Sequence, residues 1–186
     1  MPDIDSEKPL SPLERFRRVL ILAQHAASNF GYFRAAFSLK DEPSLPEYDD
    51  IRARIANNFL DTGVTEWCKL FVDRERHSWQ RYIAADQRED FRDGLLAAVG
   101  MTIDEWDGYV LKVLTYRDKF IAHLDSLRVM NTPLLDPAIR ALTYYAEYLR
   151  RNSISANTLD QSEFDIITLF ERCQQIGSAY LKPRPH

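Results

Sequence analysis

Apolar positions along the chain recur at spacings of three and four, the period of a helix with one buried face. Leu13, Phe16, Leu20, Ala23, Ala27, Phe30 and Phe37 keep that spacing and predict one long helix reaching about Leu39. Its start is marked by Ser11-Pro12-Leu13-Glu14, a capping serine with proline at the first helical position and a glutamate three residues on. Asp41-Glu42-Pro43 and Pro46 break the pattern. A second helix is expected from Glu47, with Tyr48, Ile51, Ile55 and Phe59 on one face. Gly63 interrupts or ends it, and Trp67-Cys68-Lys69-Leu70-Phe71 is dense enough in large apolar groups to be a nearly all-buried continuation.

Trp79, Tyr82 and Ile83 suggest a short helix, and a fourth spans about Arg88 to Val99, closed by Gly100 in the left-handed position. Thr102-Ile103-Asp104-Glu105 is a second capping box and opens a fifth helix. Asp136-Pro137 caps a sixth that carries Ile139, Leu142, Ala146 and Leu149. Ser162-Glu163-Phe164-Asp165 opens a seventh, with Ile166, Phe170, Cys173 and Tyr180 inward. No stretch alternates with period two over a strand's length, and no repeat or low-complexity segment interrupts the series. The expected fold class is all-α, a bundle of about six or seven helices. Residues 1–10 read as a flexible tail, 11–181 as a single helical domain and 182–186 as a second tail.

Composition narrows the function classes. A chain of 186 residues with 45% apolar and 28% charged residues can bury a core without disulfides or metals. Cys68 and Cys173 have no paired spacing, so both are expected reduced and buried. No apolar run reaches the ~20 residues that span a bilayer, and the acidic start MPDIDSEKPLSP is unlike a secretory signal. A cytoplasmic protein with no membrane partner is the expectation. The net charge of -4 argues against a nucleic-acid coat spread over the whole surface, although it leaves room for a local basic cleft. Arginine supplies 18 of the 24 Lys+Arg, which suits bidentate phosphate contacts but equally follows from codon bias.

One segment breaks its own pattern. Trp106, Val110, Val113, Phe120 and Leu124 form an apolar stripe on the fifth helix, and the member missing from it is Arg117. A guanidinium on an apolar seam is costly unless something pairs with it, and sequences tend to break local rules at functional or interface sites. His123 follows six residues later, near the expected helix end. At the α-helical step the two side chains stand about 120° apart around the axis. Reaching a single ligand requires either a loosened helix near Ala122 or two copies of the helix facing each other across a two-fold axis.

The run Tyr116-Arg117-Asp118-Lys119-Phe120-Ile121-Ala122-His123 resembles the signature of the HEPN superfamily, an arginine and a polar residue followed by a histidine near a helix end. The continuation IAHLD, through Asp125, together with WCKLF and Trp106, looks most similar to the abortive-infection U-type branch. The resemblance spans about residues 12–150, and its specific part is short. It implies a HEPN-like bundle and a homodimeric, metal-independent endoribonuclease of prokaryotic defence or toxin–antitoxin type, with RNA as substrate and an antitoxin protein as a further partner. Under it, Arg117 and His123 are catalytic and Asp118 orients one of them. The chemistry suits the residue types. RNA carries its own 2′-hydroxyl nucleophile, so the protein needs only a proton carrier and a cation for the developing charge. A histidine titrating near neutrality and an arginine on the scissile phosphate supply these. HEPN toxins silenced by nucleotidylation carry a tyrosine two residues after the histidine, whereas Asp125 stands there in this chain.

Plainer readings stay open beside this one. Arg117 can pair with an acidic residue of a neighbouring helix, and His123 can sit at a helix C-terminus for the macrodipole alone. The chain can also be a non-catalytic RNA-binding or protein-interaction dimer. His25 reads as packing or surface, His77 as part of a solvated Arg74-Glu75-Arg76-His77 loop, and His186 as tail. No histidine pair has metal-ligand spacing, so no metal or cofactor is expected. Tyr144, Tyr145 and Tyr148 beside Arg150 and Arg151 can stack on bases but fit helix packing better. No phosphate-cradling glycine loop or nucleophile-elbow motif is present.

Overall fold

The Ser11 hydroxyl accepts the Glu14 N–H, and the Glu14 carboxylate accepts the Ser11 N–H at 2.7 Å, so both halves of the capping box form. From there α1 runs over Pro12–Ser38, 27 residues or about 40 Å. In the computed structural model the described residues are 10–39, 46–73, 78–121, 132–153, 156–157 and 160–182. Among them the chain forms six further α-helices and no strand: α2 (Pro46–Phe71), α3 (Trp79–Tyr82), α4 (Arg88–Val99), α5 (Ile103–Tyr116), α6 (Leu135–Asn152) and α7 (Ile166–Leu181). The fold is an all-α helical bundle.

The expected signals act as their chemistry dictates at most starts and stops. Gly100 takes φ +70° at the end of α4, the left-handed position where a Cβ would be strained. The Thr102–Glu105 box opens α5. Two starts differ from expectation. α6 begins at Leu135, so Asp136 lies inside the first turn and bonds Arg34 of α1 at 2.5 Å instead of capping. Pro137 is tolerated there because first-turn N–H groups have no helical acceptor. Before α7, a 3-10 turn over Gln161–Phe164 carries its own box between Asp160 and Glu163, and Asp165 then caps α7 by accepting from Thr168.

α1 packs along α2 on one side and α7 on the other, with α6 lying against α1, α4 and α7. Gly31 and Gly177 set the α1–α7 spacing: a Cβ on Gly31 would stand 2.5 Å from the Phe170 carbonyl oxygen, and one on Gly177 2.7 Å from Ala35 Cβ. α2 continues straight through Gly63, where the Phe30 ring lies too close for a side chain. One continuous core draws on α1, α2, α4, α5, α6 and α7. A run of touching rings crosses it. Trp67 stacks on Phe71, which meets Trp106 and Tyr145 edge-on, and Phe91 joins Tyr145 to Trp79. Such pairs contribute about 0.5–1.5 kcal/mol each beyond their buried area.

Three expected inward residues face solvent: Phe37 is 55% exposed, Ile51 57% and Tyr180 77%. Each lies in the terminal turns of its helix, past the reach of its neighbours. The early buried face of α2 is instead Arg52, Ala56 and Leu60, one residue along from the expected stripe. Among the described residues no helix is long and apolar enough to cross a membrane.

Candidate functional site

The buried stripe of α5 is Trp106, Tyr109, Val113 and Tyr116, adjacent to the stripe that pointed to Arg117. Tyr109 donates its hydroxyl to the Leu134 carbonyl and Tyr116 donates to Asp61 Oδ1 of α2, both at 2.7 Å. Burial, followed by that bond to Asp61, holds the Tyr116 phenol well above its ordinary range. With Tyr116 in the core, Arg117 falls at the edge of the seam, its side chain 24% exposed.

At Arg117 the helix changes its winding. Arg117–Ile121 forms a π turn, with hydrogen bonds reaching one residue further than in an α-helix. α2 ends in a wide turn as well. The Val72 and Asp73 N–H groups both donate to the Cys68 carbonyl, at 2.9 and 2.8 Å. The two ends meet in an ion triad: Arg117 donates from Nη1 to Asp73 Oδ1 at 2.5 Å and from Nε to Asp118 Oδ1 at 3.0 Å. Two of the five guanidinium N–H groups are thereby used, one toward α2 and one within its own turn.

Burial works against the charged guanidinium, but the bonds to Asp73 and then Asp118 outweigh it and raise its pKa above an already high value. Cys68 is fully buried beneath the triad. Burial pushes its thiol up to about 12, with the Arg117 guanidinium pulling the other way and Asp73 and Asp118 adding to the rise. The triad carries one positive and two negative charges. Asp73 also lies at the C-terminal end of α2, where the helix dipole adds further negative potential.

The structure therefore brings Arg117 and Asp118 into contact, whereas His123 lies outside the described residues, together with Leu124 and Asp125. The side chain of Phe120 is likewise outside them, as are His77 and His186. His25 is exposed on α1. Sequence reading missed Asp73 and Asp61, which lie 44 and 55 positions from their partners. One signal was available for Asp73: a carboxylate just past a helix C-terminus opposes the macrodipole and calls for a cation nearby.

The tyrosines of α6 serve packing. Tyr145 is fully buried, and Tyr144 and Tyr148 lie against Phe91. Arg150 is paired with Glu147 of its own helix. A separate cleft of about 260 Å³ opens beside them, lined by Arg15, Tyr82, Ile83, Gln87, Tyr148 and Asn152 among others. Among the described residues no group of three or more His, Cys, Asp or Glu is placed to hold a metal ion.

Comparison with known proteins gives no match: no family model, no curated protein and no solved structure aligns with this chain. The geometry of the Arg117 triad and the motif around it are what a functional reading has to rest on.

Proposed function

We propose that the chain is a HEPN-type, metal-independent endoribonuclease that acts as a homodimer in prokaryotic defence or toxin–antitoxin systems. One observation carries the reading. The motif arginine occupies a π turn at the end of an amphipathic helix, half-buried and braced by carboxylates from two directions. π turns are rare and occur often at functional sites. A pre-aimed guanidinium with donors to spare suits a scissile phosphate, because little reorganisation is needed as charge develops. In this reading Arg117 holds the phosphate, Asp118 orients Arg117, and His123 moves the proton of the 2′-hydroxyl or of the leaving oxygen. The outer face of α5 supports a two-fold partner. Gly108 has open space around it and Leu111 beside it is 61% exposed, which gives a flat surface for a second copy of the helix.

A second reading has its own support. Arg117 is already neutralised by Asp73 and Asp118, which suffices for a purely structural tie between α2 and α5. The chain is then a non-catalytic helical partner for RNA or protein.

The deciding experiment incubates wild type, Arg117→Ala and His123→Ala with total tRNA and with a long single-stranded RNA in EDTA. Cleavage by the wild type alone, leaving 2′,3′-cyclic phosphate ends, is the expected result. Absence of cleavage by all three, with each folded and dimeric, refutes the nuclease and leaves the interaction protein. Loss of fold or dimer in His123→Ala makes that residue structural.

A further inference from the structure

Asp73 presents a conflict that the nuclease reading has to resolve. A phosphodiester approaching Arg117 meets two carboxylates and the negative end of α2 around a single guanidinium. The local balance is one unit negative before the phosphate arrives. Asp118 is 53% exposed and largely screened by water, so the repulsion comes mostly from Asp73, whose side chain is 28% exposed. Asp73 is also the only one of the two that reaches Arg117 from another helix. It is anchored by the bond from its own N–H to the Cys68 carbonyl in the wide turn that ends α2.

Resting on that reading, we propose that Asp73 is an electrostatic gate on the Arg117 site. It holds the guanidinium in position while keeping the site too negative for tight binding of an RNA phosphate. The phosphate competes with Asp73 for the guanidinium, so the affinity of the free protein for single-stranded RNA is set below what Arg117 alone supports. Three of the five guanidinium N–H groups have no acceptor among the described residues, so a phosphate can engage Arg117 before Asp73 lets go. Asp73→Asn keeps an oxygen to accept from Arg117 and removes the charge. It separates the gating role of Asp73 from its bracing role. Asp73→Ala removes both.

The test measures binding of a fluorescent single-stranded RNA in EDTA by anisotropy, at low and high salt. The proteins are wild type, Asp73→Asn, Asp73→Ala, Asp118→Asn and Arg117→Ala, each checked for fold by circular dichroism and melting temperature. Asp73→Asn is expected to bind on the order of tenfold tighter than wild type, the scale of one partly screened unit charge beside a phosphate. Asp118→Asn gains only about twofold because its carboxylate is more exposed. Asp73→Ala gains less than Asp73→Asn because the guanidinium is no longer held, and Arg117→Ala binds more weakly than wild type. The gain from Asp73→Asn shrinks as salt rises, which a packing effect does not do. Asp73→Asn binding no tighter than wild type, with Arg117→Ala weakened, overturns the gate and leaves the phosphate role of Arg117 standing. Arg117→Ala binding as well as wild type, or no binding by any of the five, overturns the reading of the site itself, and the gate with it. If Asp73→Asn fails to fold, Asp118→Asn binding more weakly than wild type overturns the proposal, because the same electrostatics govern both carboxylates.

Discussion

Replacing Gly31 by alanine should destabilise the bundle, although alanine is the better helix former. The site is the crossing of α1 and α7. The new Cβ would stand 2.5 Å from the Phe170 carbonyl oxygen, 2.9 Å from Cys173 Cβ and 3.2 Å from the Gln174 nitrogen. Two of these three are backbone atoms in the body of α7, so no side chain can swing aside to relieve them. The helices must part by about 1 Å to restore ordinary contact, and a gap of that size forfeits a quarter to a half of each dispersion contact along the pair. Overpacking of this kind costs about 1–3 kcal/mol, against a gain of about 1 kcal/mol in helix propensity. The net expectation is a loss of about 1–2 kcal/mol. Gly108→Ala is the matched control, since a Cβ there meets nothing within 4 Å. It should stabilise by about 0.5–1 kcal/mol. Urea denaturation followed by circular dichroism, at equal concentrations because an associating protein's midpoint moves with concentration, measures both. Gly31→Ala as stable as wild type, or stabilised like Gly108→Ala, would refute the claim that backbone contact fixes the α1–α7 spacing.

Tyr145→Phe should be neutral to stabilising, by up to about 1 kcal/mol in urea denaturation, because the buried hydroxyl has no hydrogen-bond partner among the described residues and its removal lifts a desolvation penalty. Cys68 should resist a thiol reagent at pH 8 in the native protein and react once urea unfolds it, since burial keeps it protonated up to about 12; fast native labelling would contradict the packing beneath the triad. Stability should fall as pH drops through the carboxylate range. The side-chain bond to Ser11 and then its backbone lower the pKa of Glu14; for Glu105 the Thr102 backbone bond is the larger cause, then its side chain. A folded-state pKa below the unfolded one means stability present above the ordinary value of 4.5 and lost as pH falls through the lowered values. Glu14→Gln with Glu105→Gln should flatten that part of the melting-temperature profile, and an unchanged profile would dismiss the caps as its source.

Helix starts were legible because a capping box is local chemistry: Ser11 with Glu14 and Thr102 with Glu105 need no tertiary information. Helix faces were less so. On α5, Trp106, Val110 and Val113 and the true stripe of Trp106, Tyr109, Val113 and Tyr116 are neighbouring tracks with helical spacing, and the two tyrosines read as amphipathic until Asp61 and the Leu134 carbonyl are there to take their hydroxyls. Arg117 drew attention for the right physical reason, an unpaired cation beside a seam, but its partner lay on another helix where no spacing rule reaches. Phe37, Ile51 and Tyr180 show the same limit at helix ends, where periodicity persists after the packing partners have run out.

The π turn at Arg117–Ile121 has a consequence for how the chain tolerates a change in length. A π turn is an α-helical turn holding one residue too many. Deleting a single residue there, such as exposed Lys119, lets the hydrogen bonds close at ordinary α spacing. Everything C-terminal to the deletion then rotates by about 100° relative to α5. The segment is a phase adjuster: one codon sets which way the chain leaving the motif faces.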